Sequence, residues 1–236
     1  MAQRLGVVVF GGITAGTAGL GTWQINRYYW KKDVVEERRR QLKARPVDAS
    51  GFFAEEEGKT ETCTRLSLRG RFEHDKEIIM GPRPPPTAKQ TPGNVTIGYY
   101  VLTPMTLQGS GHRVLVNRGW SENPQEIARP LEDGVEVTGV LYEGESKSRF
   151  SPPNDEEKRR FMWLDVEAAA RACSFPSAPS VVNAVAEEGS KGQGLRTRSL
   201  ESYNDFYVSE DTHLTYATTW FSLAALGTFM TFRRFF

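Results

Sequence analysis

The stretch LGVVVFGGITAGTAGLGTWQIN, residues 5–26, runs between Arg4 and Arg27 without one Asp, Glu, Lys or Arg. Its counterpart at the other end, THLTYATTWFSLAALGTFMTF, residues 212–232, lies between Asp211 and Arg233 and is equally free of them. Each is long enough to cross a hydrocarbon core of roughly 30 Å at about 1.5 Å of helical rise per residue. The pair predicts transmembrane helices over 5–26 and 212–232, with residues 27–211 between them as one extramembrane domain. The whole-chain average hides this pattern: mean hydropathy is −0.48 and 25% of residues are charged, values that suit a soluble domain. Thirty Lys and Arg stand against 29 Asp and Glu, a balance that gives no expectation of a nucleic-acid partner.

A secretory signal peptide is the second reading of the N-terminus. The apolar run is longer than a typical h-region, ends in Gly21-Thr22-Trp23-Gln24 without a small-x-small cleavage site, and passes directly into charged helical sequence. Import then runs through the first span or through a presequence outside this sequence. The two ends disagree on orientation. Arg233 and Arg234 place the C-terminus in the positive-inside compartment, whereas Arg27, Lys31, Lys32 and Arg38 to Arg40 lie on the domain side of the first span. Long connecting domains translocate largely regardless of charge, so the second span and its short tail carry more weight.

From Trp23 to Ala44 the pattern is helical. It contains no Gly or Pro, Glu36 and Glu37 stand three or four residues before Arg39 and Arg40, and Arg45-Pro46 ends it. A stalk continuing the first span is expected. Beyond Pro46 come short β-like runs, 64–71, 77–80, 98–104, 112–118 and 135–142, separated by Gly, Pro and Asn clusters. Phe161 to Cys173 has a helical pattern, and Ser174 to Arg198 reads as loop with one more strand near 180–183. The expected fold is a membrane-anchored α+β protein, in which two terminal transmembrane helices flank a β-rich barrel or sandwich with one or two short helices.

Catalytic signatures do not emerge. Cys63 and Cys173 have no metal or redox spacing, and are either one disulfide or two free thiols. His74, His112 and His213 are far apart, and no P-loop, GxSxG or GxGxxG is present. His213 differs by its place at the start of the second span, where Tyr216 and Trp220 follow at i+3 and i+7. A neutral imidazole there suits haem iron as an axial ligand, and it equally suits an interfacial histidine among belt aromatics. Trp23, Arg27 and Trp30, at i, i+4 and i+7 where the first helix leaves the membrane, are either a matching wall, with Arg27 for a haem propionate, or a belt with a snorkelling arginine. Gly12 and Gly16 form a GxxxG that would let the helices approach.

An ordered set of motifs now stands in the chain: Gly21-Thr22-Trp23-Gln24 with Arg27; Gly70-Arg71-Phe72-Glu73-His74; Gly81-Pro82-Arg83; Thr103-Pro104; and Val116-Asn117-Arg118-Gly119-Trp120. Glu145 with Phe150-Ser151-Pro152-Pro153-Asn154, then Trp163-Leu164-Asp165, and His213-Leu214-Thr215-Tyr216 with Thr219-Trp220-Phe221 complete it. This set resembles the Surfeit locus protein one family of cytochrome c oxidase assembly factors over nearly the whole chain. The resemblance implies a non-enzymatic protein of the mitochondrial inner membrane, or the bacterial inner membrane, with termini in the matrix and the central domain in the intermembrane space. It implies work on oxidase subunit one and transient contact with haem a, with His213 as iron ligand and Trp23, Arg27, Tyr216 and Trp220 around it. The chain departs from the family's Asn-rich pattern before the histidine, where it has Glu210-Asp211-Thr212, so a carboxylate there is expected either to orient the imidazole or to hold it protonated. The alternative expectation is a resident structural subunit of a mature oxidase or supercomplex that binds no haem. Arg71, Arg83 and Arg118 are expected either to meet an acidic partner or to be solvated or paired within the domain.

Overall fold

The computed structural model describes residues 2–55, 64–86, 96–129, 131, 133–185, 195–204 and 210–236. Its elements in chain order are α1 (Ala2–Lys43), β1 (Val47–Asp48), α2 (Ala49–Glu55), β2 (Arg65–Phe72), β3 (Ile78–Arg83), β4 (Gly98–Leu107), β5 (Arg113–Ser121), β6 (Val135–Tyr142), β7 (Arg160–Phe161), α3 (Val166–Ala172), β8 (Val181–Ala184) and α4 (Glu210–Phe235). Two compact units form, Met1–Arg39 with Asn204–Phe236, and Arg40–Tyr203. The Cys63 half of the disulfide question lies outside the described residues, as do residues 186–194 within the expected loop; Cys173 is a free, buried thiol.

The 40–203 unit is a closed sheet. β2, β6, β8, β5 and β4 pair in that order, and β4 returns to β2 through Gly70↔Leu107 to Phe72↔Met105. Alternation in β2 turns Leu66, Leu68 and Phe72 inward, where they meet Met105, Leu107, Val114, Val116, Leu141 and Val182, all buried. Phe52 and Phe53 of α2 pack on this cluster and plug the barrel. A second cluster covers the outside of β3, β4 and β5, where Ile78, Met80, Leu102, Leu115 and Phe161 lie under Leu164, Ala168, Ala169 and Cys173.

The strands expected at 64–71, 77–80, 98–104, 112–118, 135–142 and 180–183 all appear, with ends moved by up to a few residues. β4 runs past Pro104 because it changes neighbour there: it pairs with β3 as far as Leu102 and with β2 from Met105. Proline, lacking an N–H, falls at that gap, and its carbonyl accepts the Glu73 N–H at 2.8 Å. The helix expected over 161–173 is shorter. Arg160–Phe161 instead pairs with β3, and Asp165 caps α3 by accepting the Ala168 N–H at 3.1 Å. The strand bends at Gly119, whose φ is +129°, at a register shift between β4 and β5. Trp120, 1% exposed, turns back under it and donates from Nε1 to the Arg83 carbonyl at 2.8 Å.

Candidate functional site

The unit of 1–39 and 204–236 pairs α1 with α4 in opposite directions. Gln24 meets His213, Gly21 lies against the Phe221 ring, Thr14 faces Gly227, and Phe10 and Gly6 face Phe235. On α4 the inward stripe holds Ala217, 1% exposed, and Ala224, 8% exposed. The glycines that permit close approach are Gly6, Gly21 and Gly227, where an added Cβ would collide with Phe235, Phe221 or Thr14. The expected pair Gly12 and Gly16 faces open space instead. A GxxxG spacing marks one helix face, and in a span with six glycines before Thr22 it does not single out the face that packs.

Apolar side chains cover the outside of this pair. Val8, Phe10, Ile13 and Leu20 on α1, and Leu223, Leu226, Phe229, Met230 and Phe232 on α4, are all at least two-fifths exposed. Among the described residues only α1 is long and apolar enough to cross a membrane. α4 carries threonines along its length. Thr215, Thr218, Thr219, Thr228 and Thr231 each donate their hydroxyl to the carbonyl four residues back, at 2.7–3.1 Å. Those hydroxyls are satisfied within the helix, the condition a nonpolar medium sets.

His213, half-buried, sits where α1 and α4 meet near the start of α4. Its Nδ1 lies 2.8 Å from Gln24 Oε1. In the neutral ring, an Nδ1–H donated to that amide oxygen would leave Nε2 with its lone pair. This is the arrangement that metal-bound histidines use, one nitrogen fixed by a hydrogen bond so that the other can ligate, and to that extent the residues fit a haem. Among the described side chains the orienting partner is Gln24; of the two carboxylates considered from the sequence, Asp211 is exposed and the Glu210 side chain lies outside the description. Trp23 is 54% exposed and Tyr216 53% exposed, outside the packed stripe, and Trp220 is half-buried. Arg27 stacks on Trp30, its guanidinium carbon 4.0 Å from the ring centroid. Gln24 was missed because a glutamine at the end of an apolar run reads as an interfacial residue; the signal was its helical spacing of three from Gly21.

The barrel carries its own buried charges. Glu77 Oε1 accepts from Thr103 and Arg118 at 3.2 and 3.3 Å and lies 2.8 Å from His74 Nδ1, while its Oε2 accepts from Arg129 at 2.9 Å. Side chains of His74, Glu77 and Arg118 are each under one-tenth exposed. Burial pushes the Glu77 carboxyl up, but the hydrogen bonds from His74 and Arg129 outweigh it and hold the group below the usual carboxylate range. Glu73 behaves alike: burial opposes, and Lys76, Arg113 and Thr106 prevail. Arg83 binds Glu145 through two nitrogens, one at 2.6 Å, and donates to the Met162 carbonyl. Arg83 and Arg118 are therefore paired within the domain, and Arg71 stands 3.7 Å from Asp133 at the surface. Among the described residues no group of three His, Cys, Asp or Glu is placed to hold a metal ion.

Comparison with known proteins adds an independent line. Residues 12–225 match the sequence profile of a family described as the SURF1 family. A SURF1-like protein of Drosophila melanogaster is 34% identical over 94% of this chain and 75% of its own length. Surfeit locus protein 1 of Takifugu rubripes is 29% identical over 94% of both chains, and that of Homo sapiens 29% identical over 92% of this chain and 73% of its own.

Proposed function

The chain belongs to the SURF1 family, and from that premise we propose that it is a membrane-anchored, non-enzymatic assembly factor for cytochrome c oxidase that assists maturation of subunit one and presents haem a to it. In this reading α1 and α4 both cross the mitochondrial inner membrane, or the inner membrane of a bacterium. Antiparallel pairing supports both termini lying on one side, which the charge of Arg233 and Arg234 favours as the matrix side, with the barrel then in the intermembrane space. The apolar outer surface of the pair supports the crossing, because a contiguous patch of this extent in water would drive aggregation. The threonine back-bonds of α4 support a second crossing as well as a first.

The observation that carries the haem reading is the 2.8 Å contact between His213 Nδ1 and Gln24 Oε1. Gln24 orients the ring, His213 would hold the iron through Nε2, and Trp23 and Trp220 offer apolar surface at the same level. When bound, haem a supplies no chemistry for this protein; it is cargo. A single histidine, held on a helix pair that closes on small residues, suits a ligand that must be surrendered to another protein.

The same clasp also allows the reading as a resident subunit, in which His213 and Gln24 merely lock the helices together. Purification in mild detergent separates the two. An assembly factor is recovered with immature sub-complexes that contain subunit one, and a resident subunit is recovered in a fixed ratio with active oxidase.

A further inference from the structure

The stretch Phe150-Ser151-Pro152-Pro153-Asn154 is part of the family resemblance, yet nothing in the helix pair uses it. It forms the tip of the loop between β6 and β7, and both roots of that loop are fastened. Glu145 accepts from Arg83 at 2.6 Å and from the Leu164 N–H at 3.1 Å, and its own N–H donates to the Leu164 carbonyl at 3.0 Å. Asn154 accepts from the Met162 N–H at 2.8 Å and donates to the Trp163 carbonyl at 3.1 Å. Between the roots, the Ser151 N–H donates to the Ser148 carbonyl and the Ser148 N–H to Ser151 Oγ, both at 3.0 Å. Pro152 and Pro153 then fix φ over two residues.

What this frame holds out is Phe150, 87% exposed. Lys147 and Arg149, also exposed, flank it, and residues 146–153 contain no carboxylate. A phenylalanine on a slack loop can fold back on the domain and hide its ring. Here the turn is closed by its own serines and tied at both ends, so the ring stays in water.

We propose that the Phe150 loop is a docking finger for a protein partner whose surface offers a ring-sized apolar pocket rimmed by carboxylates. An aromatic anchor that enters a pocket, with charges at the rim, is how a small contact concentrates binding energy and selects its partner. A loop whose shape is set beforehand loses little freedom when it binds. The single ring stands among hydroxyls and prolines, which suits a pocket and is poor material for entering a bilayer. The inference rests on the geometry of the barrel unit alone and needs neither the haem nor the membrane reading.

The test places a benzophenone-bearing amino acid at position 150 of the full chain in native membranes, followed by irradiation. The expected result is one predominant protein adduct whose cross-linked peptide, located by mass spectrometry, has apolar residues beside Asp or Glu. The same probe in a Lys147→Glu, Arg149→Glu background should lose that adduct about tenfold, and the probe at Leu131, 72% exposed elsewhere on the domain, should not form it. Phe150→Ser should leave the thermal unfolding temperature unchanged, which separates lost docking from lost folding. Adducts to lipid only, no adduct, or an adduct indifferent to the charge reversal would each overturn the proposal.

Discussion

The imidazole of His213 and the side-chain amide of Gln24 meet across two helices 189 residues apart in sequence, Nδ1 to Oε1 at 2.8 Å. The contact both closes the helix pair and fixes which ring nitrogen faces outward. Gln24→Leu removes the acceptor and leaves the ring free to turn. Losing such an orienting partner typically costs about 10- to 100-fold in ligand affinity, so titration of the purified variant with haem a should give a dissociation constant raised by that order. An unchanged value would mean that Gln24 does not position the ring.

The close approach of the helices depends on Gly21 and Gly227, and not on Gly12 or Gly16. Gly21→Val drives a side chain into the Phe221 ring, which an added Cβ would already meet at 2.9 Å. With cysteines introduced at Phe10 and Phe235, whose rings lie 6.1 Å apart across the pair, cross-linking should fall sharply in the Gly21→Val background and stay unchanged with Gly12→Ala or Gly16→Ala. The opposite pattern would restore the GxxxG face as the packing face.

In the barrel, Glu77 is the charge on which Arg118 depends. Glu77→Gln leaves a guanidinium that is 3% exposed without its counter-charge, and breaking a buried pair in this way costs roughly 3–5 kcal/mol. Arg71→Ala, at an exposed pair, should change stability by no more than about 0.5 kcal/mol. Chemical denaturation of the two variants checks the contrast.

The same carboxylates set the acid limit. Glu73 and Glu77 are held below their ordinary value of 4.5 when folded. A depressed folded pKa contributes stability that is fully present above the unfolded value and is lost as pH falls through the folded one. The barrel's stability should therefore be insensitive to these groups above about pH 5 and decline below pH 4.5, with a shallower decline in Glu77→Gln. Equal acid slopes in wild type and variant would contradict the network's role.

Cys173 should be inert. Burial pushes its thiol up to about 11, and the thiolate is the reactive form. In a Cys63→Ser background at pH 8, a maleimide reagent should label the protein only after unfolding. Rapid labelling of the folded form would show that the α3 cover opens.

Much of this architecture was legible from local pattern. The β-like runs set off by Gly, Pro and Asn clusters and the break at Arg45-Pro46 are local signals, and they point to the strands and to the end of α1. The closure of β4 onto β2 was not legible, because it depends on Pro104 falling at a change of partner that no local spacing records. α2 was missed because a seven-residue helix with Gly51 inside has little periodicity to read. In the helix pair, His213 stood out as a titratable group within an apolar run, whereas Gln24 did not, since its meaning comes from the residue it faces. Spacing along one helix singles out Trp23 and Tyr216, and both stand exposed beside the packed stripe of Ala217 and Ala224.

The most direct test of the central claim is the absorption spectrum of the full chain, purified in mild detergent from cells that make haem a, beside that of His213→Ala. The account predicts a haem a spectrum in the wild-type protein that is lost in the variant. Wild-type protein without haem, from a host in which haem a is confirmed, would contradict it and leave the His213–Gln24 contact as a clasp between two helices.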